Sequence, residues 1–64
     1  MKAGDIMVIC HPTSPNDGKR VRILQAAHGY NQETDDFEAD FVDAEVLDTG
    51  LCGGIHKRFL AEVQ

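Results

Sequence analysis

A chain of 64 residues holds one small domain, residues 1–64, and a chain of this size buries only about 60% of the surface that its unfolded form exposes. A hydrophobic content of 42% excludes a disordered chain, and a formal net charge of −5 disfavours direct binding to nucleic acid or to anionic membranes. Residues 6–10 form the longest apolar run, which is too short for a membrane span or a signal peptide, so we expect a cytoplasmic protein.

Three polar stretches divide the chain into four short segments. Residues 12–18, 28–36 and 48–54 are rich in Pro, Asn, Asp and Gly, which favour turns because they restrict φ, bond locally to the backbone or adopt positive φ. Short segments at this regular spacing predict an all-β barrel or sandwich, with the three stretches as its loops.

The first two segments are predicted to be β-strands. Residues 5–10 are rich in β-branched side chains and too few for a helix, so we predict a strand that is buried on much of both faces. In residues 19–25, Arg20 and Arg22 alternate with Val21 and Ile23. This alternation predicts a half-buried strand with the arginines outside.

The third segment, residues 37–47, decides the fold class. Its apolar residues fall at every second position and shift phase once: Phe37, Ala39 and Phe41, then Val42, Ala44 and Val46. One inserted residue, a β-bulge, produces such a shift, so we predict a bulged strand. A helix beginning at Thr34 is the alternative, but it would place the apolar residues on opposite sides and leave no single polar face.

The last segment, residues 55–63, fits either a helical or a strand period. We predict a tight turn followed by a short closing strand at residues 59–63. Together the four segments predict an all-β fold with a bulged third segment and a short C-terminal strand.

Two stretches resemble a known fold. Residues 4–9, Gly-Asp-Ile-Met-Val-Ile, and residues 16–24, Asn-Asp-Gly-Lys-Arg-Val-Arg-Ile-Leu, resemble the start of KOW-type and related SH3-like barrels. The pair Phe59-Leu60 is similar to the aromatic-leucine strand that closes small barrels encoded by bacteria and phages. The resemblance implies a small five-stranded SH3-like barrel over residues 1–64, and the KOW-type members imply RNA binding.

Cysteine and histidine residues supply zinc-binding atoms without a recognised spacing. Zinc prefers four nitrogen or sulfur donors, and the chain offers Cys10, His11, His28, Cys52 and His56. Because no Cys-x-x-Cys pair is present, we expect no metal and no cofactor. We interpret Cys10 as a buried thiol of the first strand and expect both cysteines to be free in a reducing compartment.

Two other motifs match known sites only in part. Asp48-Thr49-Gly50 is the tripeptide of aspartic proteases, but a chain this short builds no substrate cleft around it. Gly53 and Gly54 precede Lys57 without the spacing of a phosphate-binding loop. We expect turns at both places and no enzymatic activity.

Between Ile23 and His56 there is no lysine or arginine, whereas eight acidic residues lie there; they form the acidic belt: Glu33, Asp35, Asp36, Glu38, Asp40, Asp43, Glu45 and Asp48. A surface of one sign attracts partners of opposite charge. We therefore predict a non-enzymatic protein-interaction module with a basic protein partner, which would bind at Asp35, Asp36, Glu38, Asp40 and Asp43.

Two alternative functions stay open. A polyanion mimic, as some phage-encoded inhibitors are, would use the same acids to occupy the nucleic-acid groove of another protein. A KOW-like RNA-binding domain would need the basic residues of the strands and tail to cluster on one face; they are Lys19, Arg20, Arg22, Lys57 and Arg58. Homo-oligomerisation also stays open, because a domain with so small a core gains stability from a partner subunit.

Overall fold

A computed structural model describes residues 1–63 of the chain. This part of the chain forms seven β-strands and one 3-10 turn: β1 (Ile6–Ile9), β2 (Arg20–Gln25), β3 (Gly29–Asn31), β4 (Asp36–Glu38), β5 (Phe41–Val46), β6 (Cys52–His56), the 3-10 turn (Lys57–Phe59) and β7 (Leu60–Glu62).

Five of the strands form one antiparallel sheet in the order β6-β5-β2-β1-β7, and β3 pairs with β4 in a separate hairpin. The predicted all-β class is therefore confirmed, and the main sheet has the five strands of the predicted barrel, but this part of the chain does not form the barrel itself. The sheet is not closed into a barrel, because no ladder within residues 1–63 joins β6 to β7. These two strands are its edges.

The core lies on one face of the sheet and is small. Its buried side chains are Met7, Ile9, Val21, Ile23, Val42, Ala44 and Val46, and Ala26, Ile55 and Leu60 pack against them. They come from alternate positions of β1, β2 and β5, because successive side chains of a strand point to opposite faces. The half-buried β2 predicted from the sequence is confirmed, with Arg20 and Arg22 exposed.

The first strand differs from its prediction. Only Met7 and Ile9 are buried in β1, whereas Ile6 is 37% exposed and Val8 is half-buried. The prediction of burial on much of both faces is wrong, because an apolar run shows that a strand is hydrophobic but not whether anything covers its second face. Cys10 follows β1 and is exposed, so the interpretation as a buried thiol is also wrong.

The third segment contains two strands instead of one bulged strand. β4 ends at Glu38, a turn follows, and β5 begins at Phe41 in the other sheet. The phase shift in the sequence marks this change of sheet. The register irregularity of the five-stranded sheet lies in β2 instead, between Ile23 and Gln25.

Two stretches predicted as loops contain strands. Residues 28–36 include β3 and the start of β4, which pair with Tyr30 opposite Phe37, and residues 48–54 include the start of β6. The predicted turn and closing strand at the carboxyl end correspond to the 3-10 turn and β7, and β7 pairs with β1.

The β3–β4 hairpin packs on β5 and β6 through close backbone contacts. A Cβ atom at Gly54 would overlap the carbonyl oxygen of Tyr30, and one at Gly29 would overlap the backbone of Val42. The Tyr30 N–H also donates a hydrogen bond to Asp43 Oδ1 at 3.1 Å. Glycine is therefore required at both positions for the hairpin to lie against the sheet.

We predict that Gly54→Ala lowers the free energy of unfolding by about 1–3 kcal/mol, because the added methyl group forces β3 away from β6. Gly53→Ala is the matched control, since a Cβ there meets no atom within 4 Å. The control should leave stability unchanged or raise it by up to about 1 kcal/mol, because alanine narrows the unfolded ensemble. Chemical denaturation measures both, and equal values for the two variants would contradict the close contact.

Candidate functional site

Residues 28–40, which we call the acidic hairpin, carry one sign of charge. This segment contains β3, β4 and the turn between them, and it has five carboxylates but no lysine or arginine: Glu33, Asp35, Asp36, Glu38 and Asp40. Neither of the ion pairs found in residues 1–63 involves one of these carboxylates. The negative charge of the acidic hairpin is thus left for solvent or a partner.

An aromatic side chain stands among these acids. Phe37 is 56% exposed, and its ring makes edge-to-face contacts with His28 at 5.5 Å and Tyr30 at 5.6 Å between ring centroids. The alternating pattern of residues 37–47 predicts Phe37 as an apolar position of a single bulged strand, whereas the structure places it on the surface of the hairpin. Aromatic residues supply much of the binding energy at protein interfaces, so this cluster is a candidate anchor.

Tyr30 and Asp35 are joined across the hairpin turn. The Tyr30 hydroxyl donates a hydrogen bond to Asp35 Oδ1, and Asp35 has φ of 55°, in the left-handed region. The neighbouring Asp35 carboxylate raises the pKa of the Tyr30 phenol, since ionisation would remove the donated proton and place two negative charges together; partial burial of the phenol contributes less. This pair helps to define the turn.

Two of the five predicted partner-binding residues are half-buried as well as hydrogen-bonded within the fold. Glu38 is half-buried and accepts hydrogen bonds from Asn31 Nδ2 at 3.0 Å and from the Thr34 hydroxyl at 2.6 Å. Asp43 is half-buried in β5 and accepts the Tyr30 N–H. Both carboxylates therefore hold the hairpin together or fix it to the sheet.

The other three predicted residues, Asp35, Asp36 and Asp40, are exposed. Asp36 Oδ1 accepts the adjacent Phe37 N–H at 2.8 Å, which leaves its charge at the surface. The structure thus places these exposed acids on the same hairpin as Phe37, which was not among the predicted site residues, and links Phe37 to Asp35 through Tyr30. Its place between Asp36 and Glu38 in the sequence was the available signal, since an aromatic residue flanked by acids is costly to bury.

Two basic side chains are paired on the sheet, away from the acidic hairpin. Lys19 Nζ lies 3.5 Å from Asp48 Oδ2, and Arg22 Nη1 lies 3.5 Å from Glu45 Oε1. Such exposed pairs contribute on the order of 0–1 kcal/mol. They nevertheless compensate the β5 end of the acidic belt and leave the hairpin end uncompensated.

A second aromatic cluster surrounds the 3-10 turn. The His11 ring stacks on Phe59 at 4.0 Å between centroids, and the Arg58 guanidinium lies 4.9 Å from the Phe59 centroid. His56 packs edge-on against Phe41 and Phe59 at 5.1 and 6.2 Å, and its Nδ1 accepts the Arg58 N–H at 3.0 Å. These contacts join the end of β1 to the end of β6.

The zinc-binding candidates do not converge within residues 1–63. No group of three or more His, Cys, Asp or Glu side chains there has the arrangement of a metal site. Cys52 and His56 lie at the two ends of β6, which separates their Cα atoms by about 13 Å and excludes a Cys-His catalytic pair. Cys10 and Cys52 are both free and exposed.

Comparisons with protein-family models, with curated proteins and with solved structures found no match to this chain. Within residues 1–63 no helix is long and apolar enough to cross a membrane.

We predict that Asp35→Asn lowers the pKa of Tyr30 towards its ordinary value, because an uncharged amide oxygen no longer repels the phenolate. Asparagine tolerates positive φ, so the turn should persist. Tyr30 is the only tyrosine and the chain has no tryptophan, so ultraviolet absorbance of the tyrosinate reports this one group. Asp36→Asn is the control, and an equal pKa decrease in both variants would contradict the Tyr30–Asp35 contact.

The same contact predicts a stability change at alkaline pH. A raised pKa in the folded state means that the native protein binds the Tyr30 proton more tightly than the unfolded chain does. This contribution is fully present below the unfolded pKa of about 10 and is lost as pH rises through the folded pKa. The decrease in melting temperature over this range should be smaller for Tyr30→Phe than for the parent.

Proposed function

We propose that this chain is a non-enzymatic protein-interaction module whose acidic hairpin binds a basic segment of a partner protein. The observation that carries the proposal is the exposed Phe37 ring on a hairpin whose exposed carboxylates, Asp35, Asp36 and Asp40, form no ion pair within residues 1–63. An aromatic anchor supplies buried contact area, and the surrounding charge raises the association rate with a partner of opposite sign.

The anchor is held in place by the rest of the fold. Tyr30 supports the Phe37 ring, Asp35 bonds the Tyr30 hydroxyl, and Asp43 attaches the backbone of β3 to the sheet. A surface that is ordered before binding loses less conformational entropy when the partner arrives. Two exposed free thiols support a location in a reducing compartment, and the cytoplasm is the location that we propose.

Mimicry of a nucleic-acid backbone is the second candidate, and the exposed carboxylates of the acidic hairpin favour it. In that case the partner would be a nucleic-acid-binding protein, and its groove would accept the carboxylates in place of phosphates. The RNA binding implied by the KOW-type resemblance is less supported, because Lys19 and Arg22 are paired with Asp48 and Glu45. The SH3-like relationship itself is also a proposal, which the pairing of the last strand with β1 supports.

A selection from random peptides displayed on phage tests the proposed surface. We expect the parent protein to enrich peptides that contain lysine or arginine together with an apolar residue. Binding of an enriched peptide should weaken about tenfold for Phe37→Ala, as for a central interface residue, and less for Asp40→Asn. Added salt should slow the association of the parent but not change the effect of Phe37→Ala.

Glu62→Gln is the matched charge control, since Glu62 is exposed on β7 and outside the acidic hairpin. Equal association rates for the parent, Asp40→Asn and Glu62→Gln would show that the acids of the hairpin only keep the protein soluble. Once a natural partner is identified, competition by double-stranded DNA separates the two candidates. Loss of binding in its presence favours mimicry, whereas unchanged binding favours the plain module.

A further inference from the structure

Strand β6 is an edge of the five-stranded sheet, and no strand within residues 1–63 pairs with its outer side. Its ladder with β5 is bounded by the Val46 N–H to Leu51 carbonyl bond at 2.8 Å and the Lys57 N–H to Asp40 carbonyl bond at 2.9 Å. Because residues of an antiparallel strand point their backbone groups alternately to each side, the groups of Gly53 and Ile55 face β5. Those of Cys52, Gly54 and His56 face away from β5. The His56 carbonyl caps the 3-10 turn, so the open edge presents the N–H groups of all three residues and the carbonyls of Cys52 and Gly54.

This edge lacks the features by which proteins usually protect an edge strand. Residues 51–56 contain no proline, lysine or carboxylate, and Leu51 at the entrance is 68% exposed. The opposite edge is better protected, since β7 has only three residues and the N–H of Leu60 is bonded to the carbonyl of Lys57. Strand addition is therefore favoured at β6.

A groove of about 700 Å³ lies along β6 and has two chemically different walls. Apolar side chains of the core face form one wall, including Ile9, Val46 and Phe59. The acidic hairpin forms the other, through Asn31, Glu33 and Glu38. The hairpin packs on the side of β6 where Gly54 meets Tyr30, so the two walls belong to opposite faces of the sheet.

We infer that the β6 edge binds an extended segment of the partner protein by antiparallel strand addition, with apolar and basic residues alternating along the segment. Backbone hydrogen bonds to Cys52, Gly54 and His56 supply affinity. Alternate side chains of the added strand point to opposite faces, so one set meets the apolar wall and the other meets the carboxylates. This inference rests on the proposed function for the positive charge of the partner. It adds that the bound segment is extended and that it pairs with the β6 edge.

A second copy of the chain fits this edge less well. Each copy carries a net charge of −5, and Asp43 and Glu45 lie on β5 directly beside β6. Pairing of two β6 strands would bring these acids and both acidic hairpins together, and like charges on neighbouring strands destabilise a sheet. A basic segment removes this repulsion, which is why we assign the edge to a partner of opposite charge.

The probe is a synthetic peptide of alternating valine and lysine. We expect it to bind and to protect the amide protons of Cys52, Gly54 and His56 from hydrogen exchange, as measured by NMR. A peptide of the same composition with valines and lysines in two blocks, and a peptide of alternating valine and glutamate, should each bind at least about tenfold more weakly. Binding without protection of the three amides would overturn strand addition.

The backbone hydrogen bonds between β6 and the peptide can be removed by a change in the protein or by a change in the peptide. Cys52→Pro removes an outward N–H and should weaken binding about tenfold, whereas Cys52→Ser keeps this N–H and should bind like the parent. N-methylation of alternate amides in the probe tests the same contact without altering the protein, so it remains decisive if Cys52→Pro fails to fold. One of the two methylation registers should weaken binding, because only alternate amides of the added strand face β6, and full binding by both methylated probes would sink the inference.

The outcomes separate this inference from the proposed function. Weakening by Phe37→Ala but not by Cys52→Pro or probe methylation would keep the acidic hairpin as the site and reject the β6 edge. Weakening by the edge changes alone would keep strand addition and reject Phe37 as the anchor. Protection of the Cys52 amide without peptide, together with a dimer in sedimentation equilibrium, would assign the edge to a second copy.

Discussion

The backbone contact between β3 and β6 is the constraint on which the surface of this protein depends. At Gly54 the two strands approach so closely that no side chain fits between them, and Gly29 allows a similar approach to β5. The Tyr30 N–H to Asp43 bond fixes the position along the sheet. A hairpin held in this way presents Phe37 and its neighbouring acids outward and forms one wall of the groove along β6.

The small core explains why so much apolar surface remains exposed. Only Val21, Ile23 and Val42 are almost completely buried, and the open sheet leaves two strand edges. Larger domains cover such edges with helices or further strands, but a chain of 64 residues has little material for this. The exposed apolar surface and the open edges limit the stability of the fold. They are also the surfaces that are available for binding.

Charge is distributed unevenly because the acidic residues of the sheet and those of the hairpin have different hydrogen-bond and ion-pair partners. On β5, Asp43 accepts a backbone N–H and Glu45 lies beside Arg22, so their charges are partly compensated. On the hairpin, Asp35 accepts only the Tyr30 hydroxyl, and no ion pair within residues 1–63 reaches it. The uncompensated negative charge is therefore concentrated on the hairpin that carries Phe37.

The sequence by itself determined the strand class and much of the core. Alternation in residues 19–25 identified the buried Val21 and Ile23, and the second phase of residues 37–47 identified Val42, Ala44 and Val46, because these patterns report one buried face directly. The acidic belt was equally visible, since charge is a property of composition.

Tertiary structure alone decided which acids are free, where Phe37 lies and which strand remains an edge. A phase shift in an alternating pattern has two physical causes, an inserted residue or a change of sheet, and local sequence does not distinguish them. Glycines in β3 and β6 suggested loops because glycine favours turns, whereas here Gly29 and Gly54 are needed for contact between strands distant in sequence. Whether a carboxylate bonds a remote backbone N–H, as Asp43 does, likewise depends on the approach of another strand, which only the folded chain determines.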